Sequence, residues 1–64
     1  MQFTETRAFR KGDRVQLHPA LDEWMKGNRY GEVTRINRRT LWVKTDKGGT
    51  VKVKPPDIYE IIES

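Results

Sequence analysis

The side chains able to do chemistry in this 64-residue chain are few in kind. It has no cysteine and a single histidine, His18, which excludes disulfides, thiolate metal sites and multi-histidine sites. Nucleophilic catalysis needs an activated Ser, Cys, Thr or Lys beside an oriented base. His18 adjoins Pro19 at the end of an apolar-polar alternation, and the only serine is the terminal Ser64. Asp22 and Glu23 are sequence neighbours and point about 100° apart on a helix, which does not set two carboxylates across a substrate. Gly48-Gly49 precede a strand, so no helix N-terminus follows them to cradle a phosphate. These absences predict a binding module with no catalytic residue, cofactor or metal.

Cations, by contrast, are concentrated. Residues 1–25 carry four basic and four acidic side chains, residues 26–54 carry nine basic and two acidic, and the tail from Pro55 adds Asp57, Glu60 and Glu63. The net charge of +4 therefore conceals a central segment of +7. Alternation through Leu41-Trp42-Val43-Lys44 turns Leu41 and Val43 inward, so Trp42 and Lys44 face out. Lys52, Lys54 and Arg35 then lie on neighbouring strands, with Arg38 and Arg39 in the turn between. Lysine and arginine neutralise phosphates, and a base stacked on an aromatic ring contributes about 1–3 kcal/mol. Arg35, Arg38, Arg39, Trp42, Lys44, Lys52 and Lys54 are thus the expected nucleic-acid surface, for DNA or RNA. Trp24, Met25 and Tyr30 form an alternative surface, for a protein partner or a homodimer, because aromatics and methionine are favoured at interfaces. Helical spacing of Leu21, Trp24 and Met25 also suits a lid over the core.

The elements that must position these residues follow from periodicity. Arg14 to His18 alternates as a half-buried strand, with Val15 and Leu17 on one face. Pro19 then opens a short helical excursion, with Asp22 and Glu23 near its N-terminal end and Gly27 able to end it left-handed. Tyr30 to Asn37 reads as a second strand, in which Val33 and Ile36, three apart, break strict alternation and predict a bulge. Leu41 to Thr45 and Thr50 to Lys54 complete a meander across the Asp46–Gly49 turn. Pro55-Pro56 end the ladder, and Tyr59 to Ile62 supply a short closing strand. The expectation is one all-β domain, a small five-stranded barrel over 9–64 with a helical excursion between the first two strands, preceded by a flexible arm over 1–8.

This order of elements resembles the SH3-like barrel superfamily over residues 9–62. Lys26-Gly27 followed by Gly31, Val33 and Ile36 resembles the KOW motif, with one extra residue before Gly31, and implies contacts with RNA or RNA polymerase. A slighter resemblance is to the type II plasmid dihydrofolate reductases, through Gly12 to Val15 and Val51 to Pro55. There Lys52 stands for the family's pore glutamine and Lys54 for its tyrosine, so a four-fold pore would gather like charges and lose its chemistry. No apolar run approaches the roughly 18 residues that span a bilayer, and Met1 to Arg10 lacks a secretory apolar stretch. A cytoplasmic protein without a membrane partner is expected.

Overall fold

Five antiparallel strands and one helical turn arise where the alternation predicts them. The computed structural model describes residues 3–63. Strand β1 spans Arg14–Leu17, helix α1 Asp22–Met25, β2 Tyr30–Ile36, β3 Leu41–Thr45, β4 Thr50–Val53 and β5 Ile58–Glu63. Short 3-10 turns occupy Thr6–Ala8 and Pro55–Asp57. Of the segment expected as an arm, Met1 and Gln2 lie outside the described residues, as does Ser64 at the other end. Within the remainder, Thr6 is buried and donates its hydroxyl to the Arg38 carbonyl oxygen at 3.0 Å, while Phe3 packs on the buried Phe9.

The expected barrel does not close. Hydrogen bonding runs in the order β4-β3-β2-β1-β5, which leaves β4 and β5 as two edges of one open sheet. This corrects the SH3-like and KOW reading, and with it the dihydrofolate reductase resemblance, since all three rest on a closed barrel. A physical reason lies at the joint between β4 and β5. Two successive prolines follow Lys54 and lack the N–H that would continue a ladder. The Lys54 backbone N–H donates instead to Asp57 Oδ2 at 3.0 Å, which folds the chain into the 3-10 turn. The Asp57 carbonyl then accepts the His18 N–H at 2.8 Å, delivering β5 to β1.

One face of the sheet carries the core. Val15 and Leu17 of β1, Val33 of β2, Leu41 and Val43 of β3, Val53 of β4 and Ile58 of β5 are buried together with Phe9. Burying such side chains contributes about 1.5–3 kcal/mol each, and this has to offset the ordering of a short chain. Three bulges decide which residues reach that face. In β2 the register passes from Val33↔Val43 to Arg35↔Trp42, so Thr34 is the extra residue and Ile36 turns inward opposite Leu41. In β5 the pairs Ile58↔Leu17, Glu60↔Gln16, Ile61↔Val15 and Glu63↔Arg14 leave Tyr59 and Ile62 without partners on β1.

The excursion is ordered by polar contacts. Asn28 donates from its amide to Glu23 Oε1 at 3.0 Å, and the buried Thr45 hydroxyl lies 3.1 Å from Asn28 Oδ1. Gly27 ends α1 at φ +93°, and Lys47 Nζ donates to the Lys26 carbonyl at 2.9 Å, a cation at the end of the helix.

An exposed ion pair ties β1 to the β3–β4 turn. Arg14 reaches Asp46 with two guanidinium nitrogens, one of them at 3.1 Å. The hydrogen bond from Arg14 holds the Asp46 carboxyl below its ordinary value of 3.8. The same bond raises the Arg14 guanidinium, which stays charged throughout. A depressed carboxyl contributes stability above its unfolded value and loses it as pH falls through its folded one. The pair is therefore fully present at neutral pH and fades below 3.8. We expect the small difference in melting temperature between the parent and Asp46→Asn, followed by circular dichroism, to shrink between about pH 5 and about pH 2. Parallel pH profiles would show that the pair contributes nothing.

Candidate functional site

The β2 bulge builds the site. Without Thr34 as an extra residue, Arg35 would stand opposite Leu41 and point into the core. With it, Arg35 faces outward as the partner of Trp42, whose partner on the other side is Lys52. The Thr34 hydroxyl donates to the Trp42 carbonyl at 3.3 Å, closing the bulge against β3. Three neighbouring strands thus present a row of Arg35, Trp42 and Lys52.

Within that row the indole lies between two cations. The Arg35 guanidinium carbon is 4.8 Å from the centre of the Trp42 ring system and Lys52 Nζ is 5.9 Å from it. Trp42 is half-buried, whereas Arg35 and Lys52 are exposed. Such contacts contribute about 0.5–1 kcal/mol at exposed sites, enough to bias where a long side chain rests. The indole is therefore a floor on which a guanidinium already stacks.

Arg38 and Arg39 sit at the end of this face, in the turn between β2 and β3, both exposed. Asn37 shapes that turn: its Oδ1 accepts the N–H groups of Arg39 at 3.1 Å and Thr40 at 2.9 Å, and its own N–H donates to the Thr40 carbonyl. The Thr6 hydroxyl on the Arg38 carbonyl fixes the turn from the N-terminal side. Nothing local in the sequence marks that contact, since the two residues stand 32 apart. Lys54 follows β4 and is exposed.

Lys44 belongs elsewhere. It is exposed, but its β2 partner is Glu32, which is also the partner of Arg14. Charge alternates along that row, which sets Lys44 apart from the cluster of Arg35, Arg38, Arg39, Lys52 and Lys54 although it is itself in no ion pair with a described residue. Among the described residues, the ion pairs within 4.0 Å are Arg7 with Glu5, Arg14 with Asp46 and Lys26 with Glu23, and none involves the cluster. Two cations thus flank Trp42, with Arg38, Arg39 and Lys54 beyond them, and none of the five is in an ion pair with a described carboxylate.

The alternative surface is assembled only in part. Trp24 and Tyr30 approach with ring centres 6.4 Å apart, and the Arg29 guanidinium stacks 5.0 Å from Trp24. Met25 is 84% exposed, and no residue of α1 is buried. Leu21 alone of the three apolar excursion residues packs against the core, so α1 does not act as a lid. Sequence reasoning did not single out Arg29 here; its position beside the excursion in the +7 segment was the available signal.

His18 accepts the Ala20 N–H at Nδ1, 3.0 Å away, and meets Tyr59 edge-on at 5.6 Å. An open groove there is lined by His18, Leu21, Pro56 and Tyr59, among others. Among the described residues no cluster of three or more His, Cys, Asp and Glu side chains is placed to hold a metal ion. No helix among them is long and apolar enough to cross a membrane. No protein-family model matches the chain, and no curated protein or solved structure shows significant similarity to it.

Proposed function

We propose that the chain is a non-enzymatic module that binds nucleic acid through its phosphate backbone, on the face formed by Arg35, Arg38, Arg39, Lys52 and Lys54 around Trp42. The observation that carries this reading is the row Arg35–Trp42–Lys52, two cations on one indole with no acidic partner among the described residues. Guanidinium groups match phosphate geometry through paired N–H donors, and a lysine adds a point charge. Since Arg35 already covers the indole, base stacking on Trp42 is secondary to phosphate contact.

Salt dependence tests this directly. Each neutralised phosphate contributes about −0.7 to −0.9 to the slope of log affinity against log salt, so five contacts give a slope of about −3.5 to −4.5. Affinity for a labelled oligonucleotide, read by fluorescence anisotropy, should then fall about 100- to 500-fold between about 50 and 200 mM salt. Absence of binding to single- and double-stranded DNA and RNA at about 20 mM salt would end the reading.

The exposure of Met25 beside Trp24 and Tyr30 supports a second reading, a surface for a protein partner. Amide shifts on titration separate the two. Nucleic acid should move signals around Trp42 and the 37–40 turn, and leave those of α1 in place.

A further inference from the structure

We propose that the acidic, apolar flank of β5 docks on the basic, tryptophan-bearing face of a second copy of this chain, so that copies associate head to tail. The inference begins from the two bulges of β5. They turn Ile58 and Ile61 toward the core face and leave Tyr59 and Ile62 outside the ladder, 52% and 45% exposed. Glu60 and Glu63 are exposed beside them, Glu60 opposite the uncharged Gln16 and Glu63 opposite Arg14, whose guanidinium is turned to Asp46. A bulged edge strand is a poor template for adding a further strand, because each bulge bends and twists it away. What β5 presents is therefore a set of side chains, two apolar and two anionic.

A surface of that kind requires a partner that is part apolar and cationic. Two β5 flanks facing each other across a two-fold axis would set glutamates against glutamates, and like charges oppose contact. The face of β2, β3 and β4 around Trp42 has the complementary character: its cations match Glu60 and Glu63, and Tyr59 and Ile62 would reach the indole by displacing the Arg35 guanidinium that lies 4.8 Å from its centre. It lies at the opposite end of the strand order. A contact between unlike faces is heterologous, and copies then add in series unless the rotation closes a ring. The contact is small and its charges are exposed, so it is weak and sensitive to salt.

Sedimentation of the full chain without nucleic acid tests this. At about 50 mM salt the weight-average mass should rise with concentration to about twice the monomer value near 500 µM, and at about 500 mM salt it should return to monomer. Glu60→Lys/Glu63→Lys and Lys52→Glu/Lys54→Glu should each associate much less than the parent alone and associate when mixed, because the intact acidic flank of the second then meets the intact basic face of the first. A constant monomer mass for the parent at low salt overturns the proposal, as does failure of the mixture to associate. The first double variant keeps the basic face and should bind oligonucleotides at least as tightly as the parent. Failure of self-association is thereby distinguished from failure of the nucleic-acid reading.

Discussion

Arg35→Glu/Lys52→Glu should weaken oligonucleotide binding by about 150- to 20,000-fold at low salt, since hydrogen bonds involving a charged group contribute about 1.5–3 kcal/mol each and two are lost. The same variant should flatten the salt slope by about 1.4 to 1.8, the share of two phosphates. Both side chains are exposed, so the fold should survive and the melting curve should shift little. Trp42→Leu separates the role of the indole from that of the cations. If Trp42 serves as a floor for Arg35, its loss costs about two- to fivefold in affinity with the slope unchanged. Were a base stacked on it instead, the loss would reach about 5- to 150-fold and fall on single strands. A double reversal that binds as well as the parent would remove this face from consideration.

The largest expected effect on stability comes from one missing side chain. Gly31 is buried in β2, paired with Val15 on one side and Thr45 on the other. A Cβ there would stand 2.5 Å from the Lys44 carbonyl oxygen and 2.6 Å from Val43 Cγ1. The first of these is backbone inside a ladder and cannot swing aside as a flexible side chain could. Gly31→Ala gains about 0.4–1 kcal/mol by restricting the unfolded chain. Overpacking a tight site costs about 1–3 kcal/mol, and the steric cost prevails. A core of this size rarely supplies more than about 3–5 kcal/mol, so the variant should lose up to about half of its stability, and the bulkier Gly31→Val more. Thermal and urea unfolding monitored by circular dichroism measure this directly. A melting temperature for Gly31→Ala at or above that of the parent would show that β2 and β3 separate freely, and would sink the argument from close approach.

Much of the local structure was legible because alternation reports which side of a strand is wet. The spacing of Val33 and Ile36 required a bulge, and that bulge is what turns Arg35 out beside Trp42. The excursion, its end at Gly27 and the meander were readable from spacing and turn residues in the same way. Alternation says nothing about whether the first and last strands of a meander meet. The open edges at β4 and β5 were therefore missed, although Pro55-Pro56 marked the place where the ladder stops. Nor does it reveal which residue stands opposite on the next strand, and Lys44 of the expected surface has Glu32 across from it. The exposed pair Tyr59 and Ile62 was hidden for a related reason. The spacing of Ile58, Tyr59, Ile61 and Ile62 does not say which of them face the core, and two bulges in one strand decide it.

The pairing of β1 with β5 also governs how the chain reaches this state. The β2–β3 and β3–β4 hairpins close short loops, which costs little entropy and proceeds in microseconds. Arg14 and Glu63, by contrast, meet across nearly the whole described chain. The last strand can therefore add only after most of the polypeptide has been made, and β1 waits with one flank unpaired until it does. Contacts of such separation slow folding relative to a helical domain of equal length. Until β5 emerges, the basic hairpin face stands without its glutamates: residues 1–54 carry +7, against +4 once Asp57, Glu60 and Glu63 are included.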